Sequence, residues 1–188
     1  MVRFSLISSI ITLYYMKKKI LLGAVLALFT MLNFSCSKDE SVSGELGNNY
    51  LKVKIDGVEK IFSNVSANWV EGGNYLMITA MDQGKESLMI NVMSETTRVP
   101  AGEYHLDGGS GFYLLVAHNT TNEGVQVNST ATDDTVAPED SFNLKIDKIN
   151  NAEVEGSFSG VLVRSQGLQT LSTLKLSEGE FKTSIKAN

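Results

Sequence analysis

Two histidines, a glycine-flanked serine, an acidic stretch, a set of methionines and one tryptophan are the residues here whose types and spacing bear on chemistry. A serine hydrolase needs a Ser on a strained turn beside a His and a carboxylate, and no Gly-x-Ser-x-Gly elbow occurs. Gly109-Ser110-Gly111 comes nearest, with His105 and His118 on either side, but it reads as a glycine-rich turn. The two histidines fall in different expected strands, without the close spacing of a zinc pair, so they read as ordinary strand residues. Asp133-Asp134 and Glu139-Asp140 offer oxygen ligands, but no Asp-x-Asp-x-Asp-Gly loop with a closing Glu surrounds them. The expectation is no catalytic constellation, no metal, no cofactor and no enzyme.

Binding chemistry has two candidate sources. Trp69, with Tyr75, Tyr104 and Tyr113, could stack a sugar ring, although a buried Trp is the commoner outcome in a β-sandwich. Met77, Met81, Met89 and Met93 share the face opposite the apolar set of their expected strands. Soft thioethers suit Cu(I) or an adaptable protein surface, but a second packed layer uses the same residues, and packing is the expectation. If that face is bare, a partner is implied.

The elements that must carry these residues are strands. From Tyr50 onward no apolar residue recurs at helical spacing over a helix's length, whereas period-two alternation recurs throughout. Leu51, Val53 and Ile55 alternate with Tyr50, Lys52 and Lys54, and Asp56-Gly57 then supplies a two-residue hairpin turn. Leu76, Ile78 and Ala80, and after the turn at Gln83-Gly84 the residues Leu88, Ile90 and Val92, form a second hairpin. Further strands are expected over residues 104–106, 111–118, 142–149, 154–163, 171–176 and 180–185, divided by Asp107-Gly108-Gly109, Asn150-Asn151, Ser165-Gln166-Gly167 and Ser177-Glu178-Gly179. Residues 119–141 read as an exposed polar loop with at most one short strand around Val125 and Val127. The predicted fold is all-β: an antiparallel sandwich or partly open barrel of about nine to eleven strands, with little or no helix.

The N-terminus is a different physical object. Met16 precedes Lys17, Lys18 and Lys19, after which residues 20–32 carry no charge. That is a basic n-region followed by an apolar h-region, the plan of a secretory signal. At about 1.5 Å per residue this run covers roughly 20 Å, short of the ~30 Å hydrocarbon core, so removal is expected rather than a permanent span. Residues 1–35 are therefore expected to be a signal peptide, with Met16 as the true start. Four of the 16 basic residues precede Cys36 and all 21 acidic ones follow it, so residues 36–188 carry 12 against 21, a formal −9. Such a segment has little long-range attraction for nucleic acid or a bare anionic membrane. One cysteine also excludes a disulfide framework.

Phe34-Ser35-Cys36 resembles the lipobox of bacterial lipoproteins, which implies cleavage before Cys36 and a diacylglycerol on its sulfur. Ser37-Lys38-Asp39-Glu40 is similar to the acidic export signal that sends Bacteroidetes lipoproteins to the cell surface, with a solvated tether facing the periplasm as the alternative. Residues 36–49 then form a lipidated, flexible tether and residues 50–188 a single β domain. Asp134-Thr135-Val136 resembles the Bacteroidetes O-glycosylation site, which implies a sugar on Thr135.

Three blocks resemble a group of Bacteroidetes lipoprotein domains of the DUF6252-like kind. They are Val53-Lys54-Ile55-Asp56-Gly57, then Pro100-Ala101-Gly102-Glu103-Tyr104-His105-Leu106, then Val154-Glu155-Gly156-Ser157-Phe158-Ser159-Gly160-Val161-Leu162 with Leu176-Ser177-Glu178-Gly179-Glu180-Phe181. The resemblance implies a β-sandwich-like lipoprotein domain and no activity. Two functional expectations follow: an outer-membrane, surface-exposed lipoprotein with a non-catalytic binding or adhesion-type domain for a glycan or protein, or an accessory subunit of an outer-membrane assembly. An exposed Trp69 in a groove favours the first; a flat apolar face or open strand edge favours the second.

Overall fold

The computed structural model describes residues 47–106, 111–132, 141–167 and 169–186. Cys36, Ser37, Lys38, Asp39, Glu40 and Thr135 lie outside the described residues, as do Ser110 and the acidic pairs Asp133-Asp134 and Glu139-Asp140. Eleven strands follow one another: β1 Tyr50–Ile55, β2 Val58–Phe62, β3 Asn64–Val70, β4 Tyr75–Asp82, β5 Glu86–Met93, β6 Gly102–His105, β7 Tyr113–Asn122, β8 Val125–Ala131, β9 Phe142–Ile149, β10 Glu153–Gln166 and β11 Gln169–Lys186. The helical content among the described residues is one 3-10 turn, Glu71–Gly73. The all-β expectation therefore holds.

The strands form one mixed sheet in the order β2-β1-β11-β3-β4-β5-β7-β8-β10-β9-β6, and β10 also pairs with β11. The order thus returns on itself through β11, β3, β4, β5, β7, β8 and β10, with the β1–β2 and β9–β6 pairs as wings. Both closing seams are thin. At one, Ile185 and Lys186 run parallel to Ala67 and Asn68; at the other, Val163 meets Thr130. Thr183 reinforces the first seam: its buried hydroxyl donates to the Val65 carbonyl at 3.1 Å.

Alternation decides which side chains fill the ring. Leu51 and Val53 on β1, Leu76, Ile78 and Ala80 on β4, and Leu88, Ile90 and Val92 on β5 are wholly buried and join one continuous core with Phe142, Leu144, Leu162 and Phe181. The two hairpins built on these residues turn where expected. Asp56 and Gly57 both have positive φ, as a two-residue turn of matching twist requires.

Three expectations need correction. Residues 119–141 contain more strand than anticipated, because β7 runs on to Asn122 and reverses at Glu123-Gly124 into β8. Ser177-Glu178-Gly179 is no turn: β11 continues through it, taking up an extra residue against both neighbours. Lys52 and Lys54 face Glu180 and Ser177, while Phe158 and Gly160 face Gly179 and Leu176. Glu178, at φ 51°, absorbs this bulge, which bends the strand as bulges do. Finally, Asn64–Val70 forms β3, a strand not expected from the sequence although Val65, Ala67 and Trp69 alternate there with Ser66 and Asn68.

The bend is packed by a register in which glycine meets phenylalanine. Gly156 faces Phe181, Gly179 faces Phe158, and Gly160 faces Phe142. Phe158 stacks on Phe142 at 6.0 Å between centroids and lies 6.3 Å from Phe181. A Cβ at Gly179 would stand 2.6 Å from the Phe158 ring, and one at Gly160 would stand 2.6 Å from the Phe142 Cα. The glycines thus make room for the rings, which fill the space a side chain would have occupied.

Candidate functional site

The histidines go to separate places. His105 is exposed on β6, with Nδ1 2.6 Å from the Asn143 Oδ1 on β9. His118 is buried, its Nε2 2.7 Å from the Glu86 Oε1, and the other carboxylate oxygen of Glu86 accepts from the Lys60 ammonium. Burial pushes the Glu86 carboxyl up, but the hydrogen bonds from Lys60 and His118, and their charges, outweigh it and hold the group below its ordinary value. This is a satisfied charge cluster at one end of the ring. Each of its members has an opposite partner, and no hydroxyl or thiol nucleophile is hydrogen-bonded to His118 among the described residues. No group of three His, Cys, Asp or Glu side chains among the described residues is placed to hold a metal ion. Tyr104 is equally committed: burial pushes its phenol up to about 12, and its hydroxyl donates to the Pro100 carbonyl.

The aromatic trio does not assemble. Trp69 points into the core with 6% of its surface exposed, and the Arg98 guanidinium lies over its ring, 3.9 Å from the centroid. Tyr75 is paired with Val70, the residue after Trp69, and so projects from the other face of the sheet. Tyr113, 60% exposed, joins that outer face opposite Met93. An open tryptophan platform flanked by Tyr75 and Tyr113 is thus not what the strands build.

What they do build is a broad outer face on β3, β4, β5 and β7 that mixes methionines with small polar side chains. Across it in register run Asn68, Met77, Asn91 and Leu115, and beside them Ser66, Thr79, Met89, Ala117 and Thr130. Met77, Met89, Met93 and Leu115 are half-buried, while Met81 is 41% exposed and Val70 38%. The expected second layer over the methionines is missing among the described strands, and the reason is topological. The sheet curls so that its inner side is covered by its own strands, and none of the described strands is left to pack on the outer side. Within this face the Asn91 Oδ1 is shut off from solvent without a donor. Such an orphaned acceptor costs about 1–3 kcal/mol and calls for an explanation.

Sequence reasoning placed the methionines on one face and expected a layer over them, which no described strand supplies; period two reveals sides, not what lies against them. It missed Arg98 altogether, because the residue reaches Trp69 from a distant segment with no local signature. No protein-family model matches the chain, and no curated protein or solved structure matches it either.

Proposed function

We propose that this chain is a lipid-anchored outer-membrane protein, held through Cys36, whose β domain is non-catalytic and binds another protein. In this reading the outer face of β3, β4, β5 and β7 is the docking surface, and the domain serves as an accessory subunit of an outer-membrane assembly. Display at the cell surface follows from Ser37-Lys38-Asp39-Glu40, with a periplasm-facing position as its alternative. The observation that carries the reading is the cluster of half-buried Met77, Met89, Met93 and Leu115, over which no described strand packs, with exposed Met81 and Tyr113 at its margins. Thioethers adapt to an irregular partner surface, and contiguous apolar patches on monomers mark interaction sites.

A glycan-binding domain is the competing reading. The burial of Trp69 beneath Arg98 takes away the stacking platform it relied on. The two are separated by a glycan array run beside a pull-down from outer membrane, using the native chain and a Met89→Glu, Leu115→Arg variant. The docking reading predicts one stoichiometric protein that the variant loses while its melting temperature holds. Equal recovery by the variant, or array binding with no protein partner, refutes it.

A further inference from the structure

Arg98 is an exposed cation held by two contacts. Its guanidinium carbon lies over the buried Trp69 ring, 3.9 Å from the centroid, and its Nη1 donates to the Asn151 Oδ1 at 2.8 Å. These two contacts hold the side chain at both its face and one corner. Among the described residues no carboxylate is paired with Arg98, nor with Lys85, Arg164, Lys175 or Lys186, whereas Lys52, Lys54, Lys60, Lys145, Lys148 and Lys182 each have one. Arg98 combines the lack of a carboxylate with a seat on an aromatic ring and an amide at the edge of a cavity.

A cavity of about 350 Å³ opens beside it, bordered by Trp69, Pro100, Ile149, Asn150 and Asn151. Its side-chain hydrogen-bonding groups lean toward donors. The Asn151 Oδ1 is taken by Arg98, the Asn150 Oδ1 accepts from the backbone N–H groups of Ala152 at 2.7 Å and Glu153 at 3.0 Å, and the Pro100 carbonyl accepts from Tyr104. Each of these three oxygens already accepts at least one hydrogen bond, while the amide NH₂ groups of both asparagines and the remaining guanidinium N–H groups add donors. A pocket that presents donors around a fixed positive fork suits a planar oxyanion, which a guanidinium binds through two parallel hydrogen bonds.

We propose that this cavity binds a carboxylate carried on a small polar body, such as an acidic monosaccharide, with Arg98 as the residue that grips the carboxylate. Trp69 is then the support on which Arg98 is preorganised, not a surface for the sugar. The site is separate from the methionine face and does not depend on it.

Trp69 is the sole tryptophan, so its fluorescence reports directly on this contact. The test is titration of the purified full-length chain with D-glucuronate, beside D-glucose and sodium chloride at matched ionic strength. A ligand of this size in a single small pocket gives a half-saturation of about 1–10 mM. The expected result is a saturable change with glucuronate and none with glucose or salt. Arg98→Lys keeps the charge but loses the fork, and should weaken the midpoint at least about tenfold at an unchanged melting temperature. An equal response to glucose or salt, no saturable change with glucuronate, or an unaltered midpoint in Arg98→Lys overturns the proposal.

Discussion

Replacing Gly179 with alanine tests the packing of the bend with a single added methyl group. The new Cβ would lie 2.6 Å from the Phe158 Cε2 and 2.7 Å from its Cδ2 and Cζ, where carbon atoms in good contact stand about 3.5–4.0 Å apart. The ring must therefore retreat by roughly 1 Å. It has little room to do so, being 4% exposed and held between Phe142 and Phe181. Overpacking of this kind costs about 1–3 kcal/mol, and the lower entropy of the unfolded alanine chain returns up to about 1. A net loss of roughly 1–2 kcal/mol should lower Tm by about 3–8 °C in a domain of this size. Urea and thermal melts of Gly179→Ala, Phe158→Leu and the double variant supply the assay. Shortening the ring makes space for the methyl, so the double variant should be at least about 1 kcal/mol more stable than the sum of the single losses implies. A neutral Gly179→Ala, or strictly additive losses, would refute the reasoning.

Thr183→Val removes the hydroxyl that bridges β11 to the Val65 carbonyl and leaves that carbonyl buried and unpaired. A loss of about 1–3 kcal/mol is expected by denaturant unfolding, with faster hydrogen exchange along β3; unchanged stability would mean the seam does not need the bond. Glu86→Gln should cost about 1–3 kcal/mol at pH 7 by releasing Lys60 and His118. Because the carboxyl is held below its ordinary 4.5, that stability is fully present above about pH 4.5 and fades as pH falls through the folded value. The gap between native and variant should therefore close on acidification, and a gap that widens below pH 4 contradicts the pairing. Cys36→Ser should abolish palmitate labelling and release the protein from the membrane; labelling that persists refutes Cys36 as the lipid site.

The parts of the fold legible in the sequence were those where alternation and turn chemistry agree. Asp56-Gly57 and Gln83-Gly84 each sit between strictly alternating apolar sets, and both hairpins form there. β8 was hard to see because its inward residues near the seam are Ser129 and Ala131, small or polar side chains that give no hydrophobic signal. Ser177-Glu178-Gly179 has the composition of a turn, and only the pairing partners on either side show it to be a bulge. One long-range feature was present in the letters. Gly156-x-Phe158 read against Gly179-x-Phe181 in antiparallel register sets each glycine opposite a ring, the observed pairing. The candidate site was half legible: the shared face of the methionines follows from period two, but its exposure depends on how the whole sheet curls. The stack of Arg98 on Trp69 depends on tertiary approach alone.

The docking claim is tested most directly by site-specific photo-crosslinking in intact cells, with a benzophenone amino acid at position 89 and, as the control, at position 159. Ser159 is exposed on β10, well away in the strand order from β5, which carries Met89. The account predicts one discrete protein adduct from position 89 and none from position 159. No adduct at position 89, or the same adduct from both positions, would contradict it.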